Sequence, residues 1–274
     1  MNAPLNLLER LEAVLAAMPR VACAVSGGID SLTLATVAHR RPGRAGVEMF
    51  HAVSPAVPRE ATERTQAIAR QEGWSLTIID AGEFSDAQYR ANPSNRCYYC
   101  KTSLYGAIRP ATTAQIVSGT NTDDLGEYRP GLEAAKEHDV RHPFVEAGID
   151  KNGVRAIARA LGLGEIAELP SAPCLSSRIE TGIGIDPAML ACVHAGENLV
   201  REKLGARTVR CRVRANGVVI ELDAQTLALP EELRTPVAQE VERLFREGGF
   251  PGTVAFAPYR VGSAFLHPVK VHAR

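Results

Sequence analysis

The first two-thirds of the chain alternate short apolar runs with longer amphipathic segments. The apolar runs are typical of buried parallel strands, and they predict strands over 21–26, 47–53, 75–80 and 114–121. The amphipathic segments place apolar residues at helical spacing, and they predict helices over 29–40, 59–74 and 151–163. Strands that alternate with helices predict an α/β fold, a parallel sheet with helices on both faces.

The pattern changes near residue 180. The elements predicted beyond that point are a helix over 186–205, a hairpin over 208–224, a helix over 230–249 and a strand over 253–262. The dipeptide Asn216-Gly217 favours a two-residue primed turn inside the hairpin. This part of the chain predicts a smaller C-terminal α+β domain. The predicted domains are therefore 1–180 and 181–274, with the glycine-rich segment 180–186 as the linker.

Composition narrows the classes of partner and compartment. The 274 residues contain 31 Lys plus Arg and 31 Asp plus Glu, and a net charge of zero argues against duplex DNA or an anionic membrane surface as a partner. The segment 1–20 is amphipathic and charged, unlike a signal peptide, and no stretch reaches membrane-spanning length. We therefore expect a cytoplasmic protein whose six cysteines serve metal binding or catalysis more than disulfides.

The stretch CAVSGGIDSLTLA, a predicted strand–helix junction, carries the clearest chemistry. Ser26, Gly27 and Gly28 precede a helix N-terminus at the carboxyl edge of the sheet, where backbone N–H groups and the helix dipole bind anions. The glycines permit close approach of phosphate oxygens, and Ser31 adds a hydroxyl donor. Asp30 would repel a phosphate unless a cation lay between them, so we predict that it is an Mg2+ ligand. The alternative is a plain glycine turn with Asp30 as a helix-dipole partner.

The hexapeptide SGGIDS, residues 26–31, resembles the pyrophosphatase-loop signature of the adenine nucleotide alpha-hydrolase-like superfamily. The chain contains neither the ordinary P-loop pattern nor the G-x-G-x-x-G pattern of dinucleotide folds. The resemblance implies a HUP-like pyrophosphatase-loop domain that binds ATP. It also implies cleavage between the α and β phosphates and adenylation of a substrate oxygen.

Three further stretches resemble the LarE family of ATP-dependent sulfur transferases. They are NPSNRCYYCKTSLY (92–105), GTNTDDLGEYRPGLEAAKEHDVRHPF (119–144) and LPSAPCLSSRIETGIGI (169–185). The resemblance continues in RVRANGVVIEL and YRVGS, so it covers most of the chain. It implies an enzyme that adenylates a carboxylate of a pyridinium mononucleotide, releases pyrophosphate and replaces AMP with sulfur, in nickel-pincer nucleotide biosynthesis. The implied partners are an anionic small-molecule substrate and sulfide or another sulfur source.

Three cysteines are candidates for the sulfur chemistry. In sacrificial members of the LarE family, the cysteine that matches Cys174 gives up its sulfur and becomes dehydroalanine. Cys97 and Cys100 add a C-x-x-C pair, and three thiolates can hold a 4Fe-4S cluster whose fourth iron stays open. An open iron could bind hydrosulfide, and the protein would then act as a catalyst. We predict the cluster, with a sacrificial Cys174 as the alternative.

Other roles for these three cysteines stay open at the level of sequence. A zinc site would need a fourth ligand such as His142, and plain packing against a core is a further alternative. A thioredoxin-like pair is disfavoured, because two tyrosines separate the cysteines and no early βαβ pattern precedes them. The remaining three lie inside predicted elements and are interpreted as structural: Cys23, Cys192 and Cys211.

Arg210, Arg212 and Arg214 alternate with apolar residues along one predicted strand and therefore point the same way. Such a row suits a phosphate or several carboxylates, and a solvated sheet face is the alternative. Arg212 and Arg214 match an R-x-R pattern of the LarE family, which favours substrate binding. Lys101 and Arg178, each close in sequence to a candidate cysteine, are further candidates for steering an anionic substrate.

The segment GTNTDD ends the fourth predicted strand at the ligand edge of the sheet. Gly119 and Thr120 are predicted to contact the nucleotide through their backbone, and Asp123 or Asp124 to cap the next helix. Glu127 lies in the family's E/D-x-R-P-G stretch, and the resemblance implies a second Mg2+ ligand there.

Two other functions are alternatives. A nucleotide-binding regulatory module would keep the loop without a reactive centre, which the three cysteines argue against. A tRNA thiolation enzyme also combines this loop with three cysteines, but it would need a basic RNA-binding surface, which a net charge of zero disfavours. We expect a homo-oligomer that binds no nucleic acid.

Overall fold

The structure, a computed structural model, describes residues 4–41, 46–126, 129–170 and 173–264. Within these ranges the α-helices are α1 (Pro4–Ala16), α2 (Ile29–Arg40), α3 (Arg59–Glu72), α4 (Ala87–Arg90), α5 (Arg96–Ile108), α6 (Pro130–Glu137), α7 (Pro143–Glu146), α8 (Lys151–Ala160), α9 (Pro187–Leu204), α10 (Ala224–Leu227) and α11 (Glu231–Glu247). The strands are β1 (Val21–Ala24), β2 (Val47–Ala52), β3 (Ser75–Ile79), β4 (Gln115–Ser118), β5 (Val209–Arg214), β6 (Gly217–Leu222) and β7 (Val254–Pro258). None of the helices in the described ranges is both long and apolar enough to cross a membrane.

The chain divides into two compact units. The first contains the described residues of 1–83 and 97–172, and the second contains those of 84–96 and 173–274. The segment 180–186, interpreted from the sequence as a linker, lies within the second unit. There the N–H of Gly182 donates to Asn92 O, and the N–H of Ile185 donates to Arg90 O. The domain boundaries 1–180 and 181–274 stay a prediction.

The first unit is built on a four-stranded parallel sheet with the order β3-β2-β1-β4. Alternate residues of β1 enter two different apolar clusters, because successive side chains of a strand point to opposite faces. Val21 and Cys23 pack in a cluster with residues of α1, α2 and α8, such as Leu32. Ala22 packs in another with residues of α5, such as Ile108. The predicted α/β class, a parallel sheet with flanking helices, is confirmed.

The second unit contains a smaller mixed sheet with the order β5-β6-β7. β5 and β6 form the predicted antiparallel hairpin, and β7 runs parallel to β6. The two loop residues are Ala215 and Asn216, one position earlier than predicted, since Arg214 already pairs with Gly217. Gly217 has a left-handed φ of 122°, and a Cβ there would lie 2.5 Å from Thr253 O, so this strand start accepts only glycine without strain. The smaller α+β part is thereby confirmed.

Candidate functional site

The loop between β1 and α2 is organised by the hydroxyl of Ser31. This oxygen accepts a hydrogen bond from the N–H of Ser26 at 3.0 Å, lies 3.1 Å from Ser26 Oγ and donates to Gly28 O at 3.1 Å. The first intrahelical bond of α2 is that from the N–H of Leu32 to Gly28 O, so the N–H groups of the three preceding residues have no partner within the helix. Ser31 itself is buried, so its hydroxyl stabilises the loop from the protein interior.

Two glycines allow other backbone segments to touch this loop. Gly27 has a left-handed φ of 79°, and a Cβ there would lie 2.4 Å from Ala61 O in α3. A Cβ at Gly119, just after β4, would lie 2.7 Å from the backbone nitrogen of Ser31. The end of β4 therefore packs directly on the first turn of α2. Gly119 acts through this close approach, and its predicted contact with a nucleotide stays a prediction.

Asp30 lies half-exposed in the first turn of α2 and has two partners. Its Oδ2 forms an ion pair with Lys151 Nζ, and its Oδ1 accepts from Asn121 Nδ2 at 3.3 Å. The N–H of Lys151 in turn donates to Asp123 Oδ2 at 3.3 Å. The sequence did not single out Lys151 or Asn121. One feature of the sequence could have drawn attention to Lys151, because a lysine in the first turn of a helix is unfavourably placed in the field of the helix dipole.

Asp124 organises the turn that follows β4. Its Oδ2 accepts from the N–H of Asn121 at 3.0 Å, and its Oδ1 pairs with Arg129 at 2.8 Å. The carboxylates of Asp123 and Asp124 thus bind the loop and the start of α8. The prediction that one of them caps the next helix is wrong, because both lie inside the 3-10 helix Thr122–Gly126, where Asn121 Oδ1 accepts from the N–H of Asp123. Glu127, predicted as a second Mg2+ ligand, lies outside the described residues.

A row of three polar side chains follows the carboxyl end of β4. His142 Nδ1 lies 2.8 Å from Ser118 Oγ, which lies 3.1 Å from Thr120 Oγ1. Burial lowers the pKa of His142; the nearby Lys101 lowers it further, whereas Glu146 and Asp124 oppose the shift. The imidazole is therefore neutral at neutral pH. The sequence predicts Thr120 as a nucleotide contact, whereas it offers His142 only as a zinc ligand.

Cys97, Cys100 and Lys101 lie in the first two turns of α5, and all three are half-buried. Residues three and four apart share one side of a helix, so these side chains are neighbours. The helix precedes β4 in a parallel crossover, so its N-terminal end faces the carboxyl edge of the sheet. A Cβ at Gly131 of α6 would lie 3.1 Å from Lys101 Cγ and 3.9 Å from Cys97 Cβ, which shows how closely α6 packs there.

In the second unit, Arg178 is buried and binds the segment that carries Cys174. Its Nε and Nη2 form a fork with the buried carboxylate of Glu197, at 2.8 and 3.0 Å. Its Nη1 donates to Pro173 O at 2.6 Å and to Cys174 O at 3.1 Å. Cys174 itself is half-exposed. Arg178 therefore fixes the backbone of Cys174, and a direct contact with substrate stays a prediction.

The alternating arginines of β5 point inward. Arg212 is 3% exposed and donates to Glu221 at 3.0 Å and to Ser177 O at 2.9 Å. Arg214 pairs with Glu180 at 2.9 Å and keeps 27% of its side chain exposed. Arg210 is also buried. The solvated-face interpretation is therefore wrong for Arg210 and Arg212, and substrate binding by Arg212 and Arg214 stays a prediction.

The six cysteines are free thiols. Cys23 and Cys211 are fully buried, and burial raises the pKa of Cys23 to about 12 and that of Cys211 well above its usual value. Both fit the predicted structural role. Cys97 and Cys100 belong to the first unit and Cys174 to the second. Across the residues that the structure describes, no group of three or more His, Cys, Asp or Glu side chains is placed to hold a metal ion.

Known proteins resemble this chain over most of its length. No protein-family model matches it. An uncharacterized protein of Synechocystis is 37% identical over 251 residues, 89% of this chain and 90% of that protein. An uncharacterized protein of Methanocaldococcus jannaschii is 26% identical over 235 residues, 84% of this chain and 86% of that protein. The pyridinium-3,5-bisthiocarboxylic acid mononucleotide synthase of Lactiplantibacillus plantarum is 32% identical over 216 residues, 77% of this chain and 78% of that enzyme. At this identity and coverage, the chain belongs to the LarE family of sulfur transferases.

Proposed function

We propose that the protein is an ATP-dependent enzyme that adenylates a carboxylate of a pyridinium mononucleotide, releases pyrophosphate and replaces AMP with sulfur. The name of the Lactiplantibacillus plantarum relative, a pyridinium-3,5-bisthiocarboxylic acid mononucleotide synthase, supports this substrate class. The observation that carries the ATP half is the loop after β1. There Gly27, Gly28 and the first N–H groups of α2 adjoin the carboxylate of Asp30 and the ammonium of Lys151. This combination suits a magnesium-bound polyphosphate.

The residues of this loop have distinct proposed roles. The N–H groups of Ile29 and Asp30 precede the first helical bond and would donate to phosphate oxygens, whereas the backbone nitrogen of Ser31 lies against Gly119. A Cβ at Gly28 would meet only Ser26 Oγ, at 3.6 Å, so the approach to the loop is open at that residue. Asp30 would hold Mg2+, which neutralises phosphate charge when it is bound. Lys151 Nζ already lies beside the Asp30 carboxylate, and we propose that it binds a phosphate oxygen.

The acceptor half of the reaction needs groups that bind an anion. In the first unit, Lys101 lies near His142 at the end of β4 and would attract the substrate carboxylate. In the second unit, Arg214 is the most exposed of the candidate arginines there, and we propose that it contacts the substrate. The buried Arg212 and Arg178 would act by holding the segments around Ser177 and Cys174. A contact of Thr120 with the nucleotide belongs to the same proposal.

The sulfur half rests on the chemistry of three thiols. Cys97 and Cys100 share one side of α5, as a C-x-x-C pair of cluster ligands requires, and we propose that these two and Cys174 hold a 4Fe-4S cluster. Such a cluster would supply an open iron that binds sulfide. The alternative is that the Cys174 thiolate attacks the acyl adenylate itself. A C–S bond then forms and AMP leaves; later the Cys174 Cβ–S bond breaks with loss of the Cα proton, which leaves dehydroalanine and a thiocarboxylate.

The test of the ATP half is pyrophosphate release from MgATP in the presence of a carboxylated pyridinium mononucleotide. We expect Asp30→Ala to remove most of this release, because the metal loses its carboxylate ligand. Glu231→Ala is the matched control, since Glu231 is also an acid in the first turn of a helix and should leave the rate unchanged. Equal rates in the parent and in Asp30→Ala would refute the role of Asp30 as a metal ligand.

Three further features belong to the proposal. We propose that the protein acts in the cytoplasm, uses sulfide or another small sulfur source, and forms a homo-oligomer. Light scattering coupled to size exclusion measures the oligomeric state directly, and a molar mass equal to the 29.4 kDa of one chain would contradict the last point.

A further inference from the structure

A histidine at the end of β2 is fully buried and has a hydrogen-bond partner at each ring nitrogen. His51 is 0% exposed; its Nδ1 lies 2.8 Å from Val25 O, and its Nε2 lies 2.9 Å from Thr62 Oγ1. A carbonyl oxygen can only accept a hydrogen bond, so Nδ1 carries a proton. Burial lowers the pKa of His51, so the ring is neutral and Nε2 accepts from the Thr62 hydroxyl. The ring therefore links a carbonyl of the chain leaving β1 to a side chain of α3.

Both partners adjoin the phosphate loop. Val25 is the residue immediately before Ser26, and its N–H donates to Phe50 O at 2.8 Å. Thr62 follows Ala61, whose carbonyl oxygen is the group that packs against Gly27. His51 thus joins the entry of the loop to the helix that supports its left-handed turn.

An apolar residue would serve the packing of β2 more simply. Met49 and Phe50, the two residues before His51, are both buried and apolar. An imidazole at the next position must replace its hydrogen bonds to water, which it does with two specific partners. Hydrogen bonds fix direction, whereas apolar contacts tolerate small shifts. Histidine at this position therefore orients Val25 and Thr62 in addition to filling the core.

We propose that His51 is a positioning residue that, through Val25 and Thr62, holds the Ser26–Gly28 loop in the conformation that binds nucleotide phosphate. The inference rests on the proposed function, because it assumes that this loop binds MgATP. Without the two hydrogen bonds, the Val25 carbonyl and the start of α3 can shift relative to each other. The loop N–H groups then lose part of their alignment on the phosphates, and affinity falls while the fold persists.

The experiment measures the Kd of MgATP by calorimetry together with the urea midpoint of unfolding. The variants are His51→Leu, Thr62→Val and the double variant, with Thr62→Ser as the conservative replacement that keeps the hydroxyl. We expect each of the first two variants to raise the Kd about tenfold. The double variant should bind MgATP no more weakly than the weaker of the two single variants, because both hydrogen bonds belong to the one connection from Val25 through His51 to Thr62. Thr62→Ser should stay within about twofold of the parent.

The control is Thr36→Val, which removes a buried hydroxyl that bonds Leu32 O within α2 and is expected to change only stability. Parent-like Kd values in His51→Leu and Thr62→Val, whatever their urea midpoints, would overturn the inference. If His51→Leu does not fold, the comparison of Thr62→Val with Thr62→Ser decides. A parent protein that does not bind MgATP would overturn the proposed function and this inference with it.

Discussion

Asp30 and Lys151 form an ion pair in which only the acid suits its own helix. Asp30 lies in the first turn of α2, where the helix dipole favours a negative charge, but Lys151 lies in the first turn of α8, where it does not. Both side chains keep about a quarter of their surface exposed, 28% and 27%, and the unfavourable dipole position of Lys151 offsets part of what the pair contributes to stability. Under the proposed function, the Lys151 ammonium lies there because it binds a phosphate oxygen at the loop after β1.

Lys151→Met tests this role, because methionine keeps most of the length of the side chain and removes the charge. We expect the Kd of MgATP to rise ten- to a hundredfold, since a charge-assisted bond to phosphate contributes about 1.5–3 kcal/mol. The urea midpoint should change little, because loss of the ion pair is offset by removal of a positive charge from a helix N-terminus. Lys136→Met is the control, an exposed lysine of the same unit in the last turn of α6. An unchanged Kd in Lys151→Met would exclude Lys151 from the site.

At the scale of elements, the contact between the end of β4 and the start of α2 decides whether the candidate site exists. Gly119 makes that contact possible, because any side chain there would meet the backbone of Asp30 and Ser31 at 2.8 and 2.7 Å. The same crossing brings Asn121 within 3.3 Å of Asp30. The sequence predicted β4 over 114–121, whereas the strand ends at Ser118, since the chain turns at this crossing.

Gly119→Ala should therefore act on stability and on the site together. Overpacking against rigid backbone costs about 1–3 kcal/mol, and we expect a loss of unfolding free energy in that range, measured by urea denaturation. MgATP binding should weaken as well. Gly106→Ala is the matched control: a Cβ there meets nothing within 4 Å, and alanine inside α5 should be neutral or stabilising. Equal stability of Gly119→Ala and the parent would show that β4 can move away at no cost.

At the scale of the whole molecule, local patterns were predictable and distant contacts were not. The hairpin and the SGGIDS corner each follow from a short continuous stretch of sequence, and the α/β class follows from a succession of such stretches. The ion pair of Asp30 and Lys151 joins residues 121 positions apart, so it depends on the complete fold. α5 was not predicted, because its sequence has no clear apolar stripe at helical spacing. In the structure the residues from Cys97 to Leu104 are accordingly all half-buried. Arg212 and Arg214 were missed as ion pairs, because their shared partner Glu221 comes from the neighbouring strand β6.

The source of the sulfur is also a question at the scale of the whole molecule, since the candidate thiols belong to different units. If Cys97, Cys100 and Cys174 hold a cluster, anaerobically purified protein should be brown and contain about four irons per chain. Turnover should exceed one per chain when sulfide is supplied. Cys97→Ala and Cys100→Ala should each lose most of the iron, and the buried Cys192→Ala should keep it as the control.

The sacrificial alternative gives the opposite result at each of these points. The protein would be colourless and limited to one turnover, and its mass would fall by one hydrogen sulfide. Peptide mapping would locate the resulting dehydroalanine at Cys174, whose half-exposed position and Arg178-bound backbone suit a reacting thiol. Cys97→Ala and Cys100→Ala would then leave the single turnover intact. An iron-free protein with that mass loss would end the cluster proposal, and adenylation at the Ser26–Ser31 loop would stand without it.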